Sequence, residues 1–124
     1  MRGHHLNAAL RSYQQALDLT PTEDHDQRGL TENQLGNISR RAGDTREALR
    51  HFQQAIRHHE ARGDIYRAGQ TRYNIALLLA KDGRISDALL YARAALDNFQ
   101  AGPGAADDAD RTRQLSADVA QRNP

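Results

Sequence analysis

Apolar residues recur at helical spacing in two neighbouring segments of the chain, within residues 69–96. In the first segment Ile75, Leu78 and Leu79 fall on one face of a helix. The second segment has an apolar face of its own, made of Ile85, Ala88, Leu89, Ala92, Ala95 and Leu96. Gly83 stands in the short turn between them, where a left-handed residue would end the first helix. The pattern predicts an antiparallel helical hairpin, and its apolar faces need further neighbours to be buried.

The same pattern is present 40 residues earlier in the chain. At this shift glycines and small or aliphatic residues coincide: Gly29 with Gly69, Leu35 with Ile75, Gly43 with Gly83, Ala48-Leu49 with Ala88-Leu89, and Ala55-Ile56 with Ala95-Leu96. A period between about 20 and 50 residues is typical of solenoids built from repeated units. Because no stretch shows the sustained alternation of a strand, we predict an all-α fold whose unit is a pair of helices.

The flanking segments predict further helices and their ends. Residues 6–19 place Leu6, Leu10, Tyr13 and Leu17 on one face. Helices are also predicted over 26–42, 45–62, 65–82 and 107–121, the last with Leu115 and Val119 on one side. Asp44 and Asp64 are predicted N-caps, and Glu47 would complete a capping box with Asp44. We expect one domain over 1–124: a half repeat (1–22), two repeats (23–62 and 63–102) and a C-terminal capping helix (103–124).

The segment LGNISRRAGDTREALRHFQQAI resembles a tetratricopeptide repeat. The matching positions are the leucine–small pairs Leu35-Gly36 and Ile75-Ala76, the turn glycine, the early small residues Ala48 and Ala88, the aromatic Phe52 and the small Ala55. The resemblance covers most of residues 9–100, although the 40-residue period exceeds the usual length of about 34. Ala92 departs from the pattern because an aromatic is usual there. The resemblance implies a right-handed α-solenoid in which small residues let helices approach and Phe52 fills the gap between repeats.

In tetratricopeptide arrays the first helix of each pair lines a concave surface. The resemblance therefore implies a peptide-binding face made of Asn33, Gln34, Asn37, Arg40 and Arg41 on the 26–42 helix, and Gln70, Tyr73, Asn74, Leu77 and Lys81 on the 65–82 helix. Side-chain amides both donate and accept hydrogen bonds, so they suit an extended peptide backbone, and the three cations would favour a carboxylate. Asn37 and Asn74 match asparagine positions of peptide-clamping members of the family, whereas Asn33 stands where such members prefer lysine. The alternative is an ordinary solvated polar face.

Composition and charge narrow the classes of function. The chain has no cysteine, and its 17 basic and 16 acidic residues give a net charge of +1. Cysteine chemistry is excluded, and direct nucleic-acid binding is not favoured. The longest apolar run, residues 75–80, is far too short to span a bilayer. Because the first residues lack the apolar core of a signal peptide, we expect a cytoplasmic protein with no membrane partner.

Candidate chemical sites are few. His51, His58 and His59 share one predicted helix but lack the i,i+4 spacing of a helical metal pair, so we expect exposed histidines on a polar face and no metal. Asp107, Asp108 and Asp110 favour a helix start and lack the glycine and glutamate of a calcium loop. No phosphate loop, nucleophile elbow or pair of catalytic acids is present. We therefore expect neither a cofactor nor an enzyme.

The expected function is that of a protein–protein interaction module which binds a peptide or helix of a partner on the concave face. The resemblance to bacterial regulators and signalling scaffolds implies a place in such an assembly. The alternative is self-association. The first helix has an apolar strip and no partner helix of its own pair in the sequence, so two copies would meet through it around a two-fold axis. The identity of the partner is left open.

Overall fold

Six helices joined by short turns make up the protein. The computed structural model describes residues 2–122, with side chains from residue 5 onward. The helices are α1 (Arg2–Leu19), α2 (His25–Arg41), α3 (Thr45–Ala61), α4 (Ile65–Lys81), α5 (Ile85–Gln100) and α6 (Ala106–Ala120). They account for 82% of the residues, and the described part of the chain contains no strand. The predicted all-α fold is confirmed, with α1 starting four residues earlier than its sequence pattern indicated.

One turn design ends the three helices α2, α3 and α4. Gly43, Gly63 and Gly83 have φ angles of 80°, 77° and 79°, a left-handed conformation that favours glycine. After α2 the Asp44 amide donates to the Ser39 carbonyl at 2.9 Å, and after α4 the Arg84 amide donates to the Leu79 carbonyl at the same distance. This is the Schellman arrangement that satisfies the last carbonyls of a helix. The prediction that Gly83 ends its helix is confirmed.

Aspartates cap the starts of α2, α3 and α4. Asp24, Asp44 and Asp64 each accept a hydrogen bond from the backbone amide three residues on, at 3.0–3.1 Å. The predicted caps at Asp44 and Asp64 are confirmed. The predicted capping box is wrong, because the Asp44 amide is already used in the turn after α2 and the Glu47 carboxylate accepts from Arg50 instead.

Helix α5 begins without a side-chain cap. Its N-cap residue is Arg84, at the position that Asp44 occupies one repeat earlier, and its guanidinium pairs with Asp87 at 2.8 Å. We predict that Arg84→Asn raises the free energy of unfolding by about 1 kcal/mol, since an asparagine cap satisfies an amide of the first turn and an exposed ion pair contributes little. Urea denaturation followed by circular dichroism measures this. Arg93→Asn, an exposed change inside α5, is the control; if both variants lose stability equally, the capping argument fails.

By their contacts the helices form two compact units, Met1–Gly63 and Asp64–Pro124. In the first unit α2 packs against α1 and α3, and in the second α5 packs against α4 and α6. The division falls within one residue of the predicted junction between the repeats 23–62 and 63–102. The prediction of a single domain with four subdivisions stays a prediction, and its outermost residues, 1, 123 and 124, lie outside the described residues.

Small residues lie at the helix contacts of both units. Ala48 and Ala55 of α3 and Ala88 and Ala95 of α5 are buried, as predicted. Phe52 is fully buried too, and its ring lies against Gly36 of the facing helix in the same pair. The role implied for it at a gap between repeats stays a prediction. Leu35 and Ile38 of α2 are buried, whereas Ala42, just after the helix ends, is exposed.

The outer helices are attached in different ways. Leu6 and Leu17 of α1 are buried, and the Arg28 guanidinium of α2 donates to the carbonyls of Leu17 and Thr20, at 3.1 and 2.8 Å. At the other end of the chain α6 packs on α5, in a buried cluster that consists of Ala95, Phe99, Ala105 and Ala109. The helix predicted over 107–121 is present as α6, and it packs on α5.

Candidate functional site

Helix α2 has a polar strip opposite its buried face. The α2 strip consists of Asn33, Gln34, Asn37, Arg40 and Arg41, all from the predicted binding face. Gln34, Arg40 and Arg41 are exposed, while Asn33 and Asn37 are half-buried. Within residues 5–122, none of these side chains except Asn33 makes a hydrogen bond or ion pair. Four polar groups of this strip are therefore available to a ligand.

The corresponding strip of α4 is only partly available. The α4 strip consists of Gln70, Tyr73, Asn74, Leu77 and Lys81. Tyr73 packs against the α5–α6 cluster, and the Gln70 amide donates to the hydroxyl of Tyr66 at 3.2 Å. Asn74 is half-buried, and Leu77 and Lys81 are exposed. Three members of the strip thus remain for binding, and Tyr73 is in part a core residue.

A hydrogen bond between α4 and α6 closes the beginning of the α4 strip. The Tyr66 hydroxyl donates to Asp108 Oδ2 at 2.8 Å. This hydrogen bond, followed by burial and by the charge of Asp108, raises the pKa of Tyr66. Sequence reasoning assigned Asp108 to a helix start and missed its partner, because no local pattern connects residues 42 positions apart.

The two strips do not repeat the same asparagine. At the 40-residue shift Asn37 corresponds to Leu77, and Asn74 corresponds to Gln34. The asparagines predicted as a pair therefore stand at different positions of their helices. What the strips share is a basic end, since Arg41 corresponds to Lys81 and both belong to the last turn of their helix.

The prediction of exposed histidines on α3 is wrong. His51 and His59 are each only 4% exposed, and His58 is half-buried. The buried carboxylate of Glu32 on α2 lies 2.7 Å from Nδ1 of His51, which supplies the partner that a buried polar ring requires. His59 lies against Gly29, where a Cβ atom would come within 2.9 Å of its ring. Sequence spacing along α3 alone could not show these partners on α2.

A groove of about 440 Å³ lies in the first unit, lined by all three of its helices. Leu10 of α1 and Leu35 of α2 supply apolar surface, and Arg50 and His51 of α3 supply polar surface. Arg50 donates to both oxygens of Glu47, at 3.2 and 2.9 Å, and this contact lowers the pKa of Glu47. The Glu47 and Arg50 charges that α3 contributes to the groove are thus paired with each other, while Arg11 of α1 also lines it.

A second histidine contact joins α2 to α3. Nδ1 of His25 lies 2.9 Å from Nδ1 of His58, with ring centroids 5.2 Å apart. One repeat later these positions are Ile65 and Asn98, and the Asn98 amide donates to the Ile65 carbonyl at 2.9 Å. Among the side chains that the structure describes, no three metal-ligating groups come together.

Comparison with known proteins identifies the class. The sequence model of the family described as Tetratricopeptide repeat matches residues 4–61 and 27–101. The chain belongs to this family, as the sequence resemblance indicated, and it has the helical-repeat solenoid fold of the class. A comparison with curated proteins finds no match. Within the described residues, no helix combines the length and apolar character needed to cross a membrane.

Proposed function

We propose that this chain is an interaction module that binds a peptide or helix of a partner protein through the α2 strip and the α4 strip. Tetratricopeptide repeats generally mediate protein–protein interaction. The observation that supports this location is the set of polar side chains on α2, among them Gln34 and Asn37, that have no hydrogen-bond or ion-pair partner within residues 5–122. Polar groups with unused hydrogen-bonding capacity on a rigid helix are suited to pairing with another chain.

Each strip has amide side chains along its helix and a cation in the last turn, which suits a partner that offers backbone amides and a carboxylate. Asn37 and Asn74 can each both donate to and accept from a peptide backbone. Arg40, Arg41 and Lys81 lie in the last turns of α2 and α4, where a carboxylate of the partner would form charge-assisted hydrogen bonds. Leu77, which is 42% exposed, adds an apolar contact to the α4 strip.

The proposal includes the setting expected from the sequence: a non-catalytic, cytoplasmic component of a bacterial regulatory or signalling assembly, with no cofactor. Family members are typically non-catalytic interaction modules. The resemblance to regulator and signalling proteins supports the setting.

We predict that loss of the strip side chains weakens peptide binding without unfolding the chain. The probes are peptides with a free carboxylate, selected against the wild-type chain from a random display library. Asn37→Ala with Asn74→Ala should cost about 0.5–1.5 kcal/mol of binding free energy per lost hydrogen bond. Arg40→Ala with Arg41→Ala should weaken binding more at low salt than at high salt. Fluorescence anisotropy measures both.

The matched control for the arginine variant is Arg46→Ala with Arg57→Ala. These two arginines are exposed on α3 of the same unit, so the control removes the same charge away from the α2 strip. If the control weakens binding as much as Arg40→Ala with Arg41→Ala, the effect is one of net charge. Unchanged binding by the asparagine variant would place the ligand elsewhere.

Self-association through α1 remains the second candidate. The structure uses much of the predicted apolar strip internally, since Leu6 and Leu17 are buried and Leu10 is half-buried. The observation in its favour is that Tyr13 is 37% exposed and Leu19 is 85% exposed on the same helix. Analytical ultracentrifugation over a concentration series tests it, and a single monomeric species throughout would reject it.

A further inference from the structure

Side chains in the first turn of α2 make hydrogen bonds to both other helices of the first unit, α1 and α3. His25 contacts His58 in the last turn of α3. Arg28, three residues further along α2, holds the carbonyls of Leu17 and Thr20 at the end of α1. A change at this turn therefore acts on the attachment of α1 and of α3 at once.

The two imidazole rings face each other through their Nδ1 atoms. The distance between their centroids, 5.2 Å, exceeds the 2.9 Å between the Nδ1 atoms by about two ring radii, so each nitrogen points toward the other. This is the geometry of an N–H···N hydrogen bond, in which one Nδ1 carries a hydrogen and the other accepts it. Two rings that shared a metal ion would instead direct both nitrogens at a third point between them.

We propose that His25 and His58 form an acid-sensitive latch between α2 and α3, which is closed while one Nδ1 is free to accept and opens when both rings are protonated. With no added proton, or with one, a donor still faces an acceptor. With two added protons, an N–H group faces an N–H group and a cation faces a cation, and the contact becomes repulsive.

The surroundings of the pair set the direction of the pH response. Burial, then the charges of His25 and Arg28, lower the pKa of His58, while the charge of Glu32 raises it. A histidine whose pKa is lowered by folding binds fewer protons in the folded chain than in the unfolded chain. Its contribution to stability is therefore complete above the unfolded value of about 6.5 and is lost as the pH falls.

Other groups at this end of the hairpin limit how far the latch opens. Asp26 of α2 and Arg62, just beyond α3, lie 3.2 Å apart, and the ring of His59 lies under Gly29. These contacts remain when the histidine hydrogen bond breaks. The expected result of acidification is therefore a loosening of the α2 start, with α1 less firmly held, and not complete unfolding.

The second unit contains the same connection in a form that does not titrate, with Ile65 and Asn98 at the equivalent positions. The double variant His25→Ile with His58→Asn copies that arrangement into the first unit. It leaves His51 and His59 in place, so a difference from wild type reports on the latch and not on the other buried histidines.

Two measurements on the full chain, both with a chelator present, test the latch. Histidine side-chain NMR from about pH 8 to about pH 5 should show that His58 takes up its proton below the ordinary value of about 6.5, and that His25→Ile weakens this shift. Thermal unfolding should lose more stability on acidification in wild type than in the double variant. The proposal is overturned if His58 titrates near the ordinary value of about 6.5, or if wild type and the double variant lose stability equally on acidification. Should the double variant fail to fold, the wild-type titration still decides.

Discussion

Replacing Phe52 with alanine should lower the free energy of unfolding by about 3–5 kcal/mol, the range for truncating a buried phenylalanine. The ring is fully buried between α2 and α3. Its removal loses apolar burial and leaves a cavity that the surrounding helices can fill only in part. Urea denaturation monitored by circular dichroism measures the loss.

The control for this prediction is Leu90→Ala on α5. Leu90 is 69% exposed, so its truncation removes apolar atoms that are already in water and should change stability by no more than about 0.5 kcal/mol. If Phe52→Ala costs no more than Leu90→Ala, the ring does not hold the α2–α3 contact that the structure assigns to it.

The sequence predicted the repeated scaffold because the signals that define it are local. Helical spacing of Ile75, Leu78 and Leu79 needs only one segment to be visible, and a glycine after a helix identifies its end through its own conformation. The same holds for the caps at Asp44 and Asp64, which bond to amides three residues away. Each of these features was predicted and is present.

Hydrogen-bonded pairs between polar side chains on different helices were the part that the sequence did not predict. Glu32 and His51 are 19 positions apart, and their pairing depends on how α2 lies against α3. An isolated helical pattern places His51 on a polar face, and only the facing carboxylate allows it to be buried. The hydrogen bond from Tyr66 to Asp108 was missed for the same reason.

In the candidate site, too, the local pattern was predictable and the contacts between helices were not. The spacing along α2 and α4 identified which residues share a strip, and that information is periodic and local. It did not reveal that Tyr73 packs against the α5–α6 cluster or that Gln70 bonds to Tyr66, since both depend on the position of α6. The sequence therefore predicted which residues lie on each strip, whereas the structure was needed to show which of their side chains are free to bind a ligand.

The second repeat has alanine, not an aromatic residue, at position 92, and the residue facing this position differs between the repeats as well. At the 40-residue shift Phe52 corresponds to Ala92, and Gly36, against which Phe52 packs, corresponds to Ala76. Ala76 and Ala92 are both fully buried. The first repeat thus combines a glycine with a large ring, and the second combines two alanines. The small Gly36 leaves room for the Phe52 ring, and where the ring is absent the facing position carries an alanine.

The close contact between Gly36 and Phe52 predicts that the effect of Gly36→Ala on the free energy of unfolding changes sign when Phe52 is replaced by alanine. In wild type the new Cβ atom would lie 2.6 Å from a carbon of the Phe52 ring. Since that ring is enclosed, the contact should cost about 1–3 kcal/mol, more than the roughly 1 kcal/mol that alanine gains over glycine inside a helix. In the Phe52→Ala background the clash is absent, so the same substitution should stabilise the protein by up to about 1 kcal/mol. Urea denaturation of all four proteins gives the coupling energy. Equal effects of Gly36→Ala in both backgrounds would show that residues 36 and 52 are not coupled.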